Sequence, residues 1–219
     1  MKTNISAVLF DLDGTLLDTA ADLGHALNCV LQARNLPPVS QDLIRPHAGR
    51  GCKGLLQVGM DVAQDHPEYP KLCEELLDYY FTHACDTSAL FAGMDEVLQQ
   101  LERSNTPWGI VTNKPMRFTR PIVKHLGLTT AACVISGDTL SKAKPFPDQI
   151  LHACELMSIN PTECLFVGDS EVDVLASKAA GSPVLTALYG YIPPSENPHH
   201  WNADGYINHP EEILGWLVY

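Results

Sequence analysis

Ala7-Val8-Leu9-Phe10-Asp11-Leu12-Asp13-Gly14-Thr15-Leu16 decides the fold of this chain. Four apolar residues run straight into an acidic turn, the pattern of a buried strand in a parallel sheet. In open α/β sheets the chemistry lies beyond the carboxyl ends of the strands. Asp11 and Asp13 would stand there two residues apart, so both carboxylates can face one pocket while Leu12 points away. Gly14 permits the tight turn. One carboxylate can attack an electrophile and the other can handle protons. Together they can hold a hard cation such as Mg2+, which takes oxygen ligands. Taken alone, the stretch also reads as an Asp-rich turn, so the other strands must decide.

Working outward, the chain from Met94 onward alternates helix and strand. Helices are expected over Met94 to Arg103, Met116 to His125, Pro147 to Met157 and Glu171 to Ala180. Strands are expected over Trp108 to Thr112, Ala132 to Ser136, Cys164 to Gly168 and Pro183 to Leu188. Repeated β–α units imply an α/β fold with a doubly wound parallel sheet.

Residues 17–88 read differently, as helices with no strand. Asp18 to Asn35 is expected to be helical, capped by Asp18 or Thr19, with Leu23, Leu27, Val30 and Leu31 on one face. A short helix is expected from Ser40 to about Arg45. A glycine-rich loop follows at Ala48-Gly49-Arg50-Gly51-Cys52-Lys53-Gly54, carrying two cations. Leu55 to Ala63 and Tyr69 to Ala84 read as helices, the second with an apolar stripe of Leu72, Leu76, Leu77, Tyr80 and Phe81. The expected division is a core of residues 1–16 and 89–219 with an inserted all-helical domain at 17–88.

Composition narrows the partners. A net charge of −12 argues against nucleic acid and against an anionic membrane surface. No apolar run is long enough to span a bilayer, and the N-terminus has no signal-peptide pattern. Seven dispersed cysteines without a C-x-x-C pair read as reduced thiols in a cytoplasmic protein. An anionic small substrate stays open where positive charge is local, and the chain is expected to be a monomer or homodimer.

Each expected strand end offers a polar group. The first gives Asp11 and Asp13. The second gives Thr112 and Asn113, a hydroxyl and an amide suited to phosphoryl oxygens. The loop after the third gives Lys144, in Lys144-Pro145-Phe146-Pro147. The fourth gives Asp169 and then Asp173, in the first turn of the next helix. A hard cation would take Asp11, Asp169 and water, with Asp173 on the ion or just behind it. Singly these are ordinary turn and surface residues. A turn-only account has no reason to place all of them on one edge.

In this order, Asp11-x-Asp13-Gly14-Thr15, Thr112-Asn113, Lys144-Pro145-x-Pro147 and Gly168-Asp169-Ser170-x-x-Asp173 resemble the four motifs of the haloacid-dehalogenase superfamily. The helical insert resembles its small α-helical cap on a Rossmann-like core. The resemblance implies a phosphatase in which Asp11 is the nucleophile, forming an aspartyl-phosphate, and Asp13 is general acid and later base. It implies a small phosphorylated metabolite as the partner, and Mg2+ held by Asp11, the Asp13 carbonyl and Asp169. Thr112 and Asn113 would grip the phosphoryl group, and Lys144 would balance its charge.

Val111-Thr112-Asn113-Lys114-Pro115 and Leu188-Tyr189-Gly190-Tyr191 look like the phosphoglycolate phosphatases of that superfamily. The tail from Tyr189 to Trp201 is similar to its N-acetylmuramic acid 6-phosphate phosphatases. Both substrates carry a carboxylate, so Arg50, with Lys53 second, is the expected specificity determinant in the cap. A phosphosugar mutase of the β-phosphoglucomutase type has the same motifs and stays open as an alternative. A non-catalytic phosphometabolite-binding protein is the other.

Overall fold

The computed structural model describes residues 5–217. The chain divides into two compact units, one built from residues up to Leu17 together with those from Leu90 onward, the other from Asp18–Ala89.

The first unit is organised on a six-stranded parallel sheet. Its strands are β1 (Ala7–Phe10), β4 (Trp108–Val111), β5 (Val134–Ile135), β6 (Cys164–Gly168), β7 (Val184–Ala187) and β8 (Gly205–Ile207). The order across the sheet is β5-β4-β1-β6-β7-β8, every pair parallel. β1 is central and its four side chains are wholly buried, as a strand covered on both faces requires. Truncating one of them, such as Leu9 to Ala, would cost about 2–5 kcal/mol. The chain goes from β1 to β4 and β5 on one side, then to β6, β7 and β8 on the other. The strand order therefore reverses at β1, where open α/β sheets form their crevice. Phe10 is in register with Ile110 of β4 and Val167 of β6. The residues just past these pairs thus emerge together at one edge.

The helices of this unit are α5 (Met94–Arg103), α6 (Met116–His125), α7 (Asp148–Met157) and α8 (Glu171–Ala180). α5, α6 and α8 have the expected bounds, and α7 begins one residue later than expected. α8 opens with a capping box, Ser170 and Asp173 each bonding the other's main chain. Three expected strands are shorter at their ends than the apolar runs suggested, β5 most of all. The last strand, β8, was not expected. It is a three-residue edge strand with only Ile207 buried, too short to show a period of two.

The second unit holds α1 (Ala20–Gln32), α2 (Gln41–Ile44), α3 (Gly51–Met60) and α4 (Tyr69–His83), with α1 packed on α3 and α4. Leu23, Leu27, Val30 and Leu31 form the buried face of α1. Among the described contacts Thr19 makes no side-chain cap bond, while the Ala20 N–H lies 3.4 Å from Asp18 Oδ1. The buried Asp22 accepts hydrogen bonds from the main-chain N–H and hydroxyl groups of both Thr87 and Ser88. It ties the start of this unit to its end.

Three expectations are corrected here. The stretch 48–54 is not a loop: it is a 3-10 turn, Arg45–Arg50, leading directly into α3. A side chain on Gly54 would collide with the His47 carbonyl, so this glycine serves close packing rather than a turn. Phe81 is 57% exposed and lies off the buried stripe of Leu72, Leu76 and Tyr80. The segment also opens with strand residues, since β2 (Leu17–Asp18) pairs with β3 (Ala89–Leu90), just past its end, into a two-stranded ribbon.

Candidate active site

Asp11 leaves β1 with its N–H bonded to the Val167 carbonyl of β6. Its Oδ1 accepts from the Leu12 N–H at 2.7 Å and meets the Lys144 ammonium at 3.0 Å. The carboxyl is pushed up to about 6, by burial first and by Asp173 as well, with Lys144 pulling the other way. Gly14, at φ +86°, turns the chain back. A side chain there would strike the Asp169 carboxylate and the Tyr191 ring.

Asp169 follows β6 and is almost fully buried. Its two oxygens accept from the Thr15 hydroxyl at 3.2 Å and the Tyr191 N–H at 2.7 Å. Burial, then Asp11 and Asp173, push it well above the usual carboxylate range. Asp173 is fully buried in the first turn of α8. One oxygen accepts from the Lys144 ammonium at 2.6 Å, and the other from the Ser170 N–H and hydroxyl.

Lys144 is the buried cation among them. Its ammonium donates to the Val111 carbonyl at 2.9 Å besides Asp11 and Asp173. Burial alone would lower this ammonium, but the two carboxylates outweigh it and hold it above its usual range. Its peptide bond to Pro145 is cis. Its main-chain N–H is gripped from two sides, by Asn113 Oδ1 at 3.1 Å and Gln149 Oε1 at 3.0 Å.

Carboxylate oxygens of Asp11, Asp169 and Asp173 lie within 4.8 Å of one another. Asp11 and Asp173 meet the one ammonium and Asp169 lies beside them, so the cluster carries about two surplus negative charges if all are ionised. Burial makes such a surplus costly. A divalent cation with oxygen ligands would offset it, so the residues present fit a hard metal ion.

Thr112 follows β4 and is buried, its hydroxyl oxygen accepting from the Lys114 N–H. The Asn113 side chain was expected to meet a phosphoryl oxygen. Both ends of its amide instead bond the Lys144 main chain, Nδ2 donating to the carbonyl at 2.9 Å. Asp13 lies beside these strand ends and pairs with the Lys114 ammonium. Arg50 and Lys53 belong to the other unit, Arg50 closing the 3-10 turn and Lys53 in the first turn of α3, both exposed.

Four contributors went unassigned in the sequence. Lys114 was visible directly after Thr112-Asn113, yet a lone lysine carries no signal of its partner. Gln149, fully buried in α7, bonds Lys144 as well as the Thr112 and Ser136 carbonyls. Thr15 and the Tyr191 N–H hold Asp169, a pairing separated by 154 and 22 residues.

Residues 8–187 match the haloacid dehalogenase-like hydrolase family. An N-acetylmuramic acid 6-phosphate phosphatase of Pseudomonas aeruginosa is 37% identical over 217 residues, covering 99% of this chain and 96% of that one. A phosphoglycolate phosphatase of Xanthomonas campestris is 39% identical over 214 residues, 94% of each. The crystal structure of a predicted phosphoglycolate phosphatase from Haemophilus somnus superposes with a TM-score of 0.83 at 28% identity, covering 96% of this chain and 97% of that one.

Proposed function

This chain belongs to the haloacid dehalogenase-like hydrolases and is a phosphatase of that family, and we propose that it cleaves a small carboxylate-bearing phosphate monoester through an aspartyl-phosphate on Asp11. The observation that carries this reading is the cluster of Asp11, Asp169 and Asp173 at one sheet edge, with the buried Lys144 bridging Asp11 and Asp173.

In the first half, an Asp11 oxygen attacks phosphorus while the ester P–O bond breaks. Asp13 gives its proton to the departing alkoxide. In the second half, Asp13 takes a proton from water as that water attacks phosphorus. The acyl-phosphate P–O bond breaks, and Asp11 and phosphate are released. Lys144, the Thr112 hydroxyl and the main-chain N–H of Asn113 stabilise the charge on the phosphoryl oxygens. Asp11, Asp169 and the Asp13 carbonyl would hold Mg2+, with Asp173 behind them holding Lys144. When bound, the ion neutralises phosphoryl charge and lets one anion approach another.

The relatives named above act on phosphoglycolate or on N-acetylmuramic acid 6-phosphate. Both esters carry a carboxylate, which an arginine can grip with two parallel hydrogen bonds. Arg50, with Lys53, is our choice for that reader in the helical unit. The test is Mg2+-dependent phosphate release from 2-phosphoglycolate, N-acetylmuramic acid 6-phosphate, β-glucose 1-phosphate and p-nitrophenyl phosphate. We expect one of the two carboxylate esters to be cleaved best, and Arg50→Ala to raise its KM. Isomerisation of glucose 1-phosphate without net phosphate release would make the chain a mutase. Silence on all four would make it a binding protein.

A further inference from the structure

Lys114 has no part in the reaction as derived so far. Its ammonium donates to both oxygens of Asp13, at 2.8 and 3.0 Å. The pair is largely withdrawn from water, the side chains being 7% and 16% exposed. The main chain of Lys114 is fixed at three points. Its N–H donates to the Thr112 hydroxyl oxygen at 3.2 Å. Its carbonyl accepts from the Gly137 N–H at 2.9 Å and from the Thr119 hydroxyl at 3.2 Å. A rigid strand end thus presents a cation to the one carboxylate that must move protons.

We propose that Lys114 is a positioning residue that orients Asp13 toward the leaving-group oxygen. The proposal rests on the reading of Asp13 as the general acid. When Asp13 carries its proton, the ammonium bonds best to the unprotonated oxygen, the stronger acceptor of the two. The hydroxyl then sits on the other oxygen, directed away from Lys114. As the ester P–O bond breaks, that proton passes to the alkoxide, and the ammonium spans both oxygens again. Lys114 stays protonated throughout. The phosphoryl group has its own buried cation in Lys144, so Lys114 is left to serve the leaving-group side.

Leaving-group dependence separates this role from plain phosphate binding. An alkyl ester needs the acid, whereas p-nitrophenolate leaves with little proton help. General acid catalysis typically contributes about 10²–10⁴-fold. In Lys114→Met, kcat/KM for the better-cleaved alkyl ester of the panel should fall about a hundredfold. The loss on p-nitrophenyl phosphate should be at least about tenfold smaller, and that residual activity reports an intact fold. Asp13→Asn should show the same bias toward alkyl loss. Lys114→Arg should recover part of the alkyl activity, because a guanidinium also grips both carboxylate oxygens. Equal losses on the two esters, or no loss on either, would overturn the proposal while leaving the nucleophile reading standing. Turnover persisting in Asp11→Asn would instead overturn that reading, and this proposal with it.

Discussion

Asp11 and Asp169 are carboxyls pushed above their ordinary range, Asp11 to about 6 and Asp169 well above that range, in both cases chiefly by burial. The sign of the consequence is fixed by linkage. With the folded value raised above the unfolded one, the native state binds more protons than the unfolded chain between the two values. The stabilising contribution is therefore full at low pH and is lost as pH rises through the folded value. The metal-free protein should lose stability from these two groups as pH climbs from about 4 through about 6 and beyond. Mg2+ competes with those same protons. Thermal unfolding measured with and without Mg2+ should thus show a larger rise in Tm at pH 7.5 than at pH 5, by about 3 °C or more. An equal or larger rise at pH 5 would contradict the assignment of these carboxylates to the ion. The sequence alone exposed Asp11, Asp13, Asp169 and Asp173 by their positions after apolar runs. It did not expose the partners of each, because Thr15 and Tyr191 meet Asp169 only through the sheet.

Among the elements, α7 does more than cover the sheet. Gln149 in its first turn bonds the Lys144 N–H, the Thr112 carbonyl and the Ser136 carbonyl. It thereby joins the ends of β4 and β5 to the loop bearing the buried cation. Gln149→Leu should take its donor from the Thr112 carbonyl, and leave the Lys144 N–H to Asn113 Oδ1 and the Ser136 carbonyl to the Thr139 N–H. A buried group left without a partner costs about 1–3 kcal/mol, and urea denaturation should report a loss of about that size or more. The same variant should lower kcat, since Lys144 loses a main-chain anchor. Wild-type stability and kcat in Gln149→Leu would show the bridge to be idle. The elements most legible in the sequence were those with complete local signals. β6 ends in Gly168 and meets the Ser170 cap, and α8 runs to Gly181 at φ +76°. α3 was least legible, because its glycines stand where backbone and side chains approach closely. Gly54 would meet the His47 carbonyl and the Arg50 side chain. In sequence, such glycines look like turn residues. β8 was missed because an edge strand with one buried side chain has no periodicity to show.

For the whole molecule, parallel order and register explain why residues spread over more than 160 positions share one site. Phe10 pairs with Ile110 and Val167, so Asp11, Thr112 and Asp169 all emerge at the same edge. The net charge of −12 makes a site for anionic substrates depend on local cations. Lys144 supplies one, buried against Asp11 and Asp173. Among the described residues no helix is long and apolar enough to cross a membrane. All seven cysteines are free thiols, as their dispersed spacing suggested. The central claim is that Asp11 itself carries the phosphoryl group between substrate and water. Its most direct test is acid quenching during turnover of a substrate labelled in its phosphoryl group, followed by recovery of the denatured protein. We predict an acid-stable, hydroxylamine-labile label on the wild-type chain and none on Asp11→Asn. Turnover without any protein-bound label, or a label that persists in Asp11→Asn, would contradict the account.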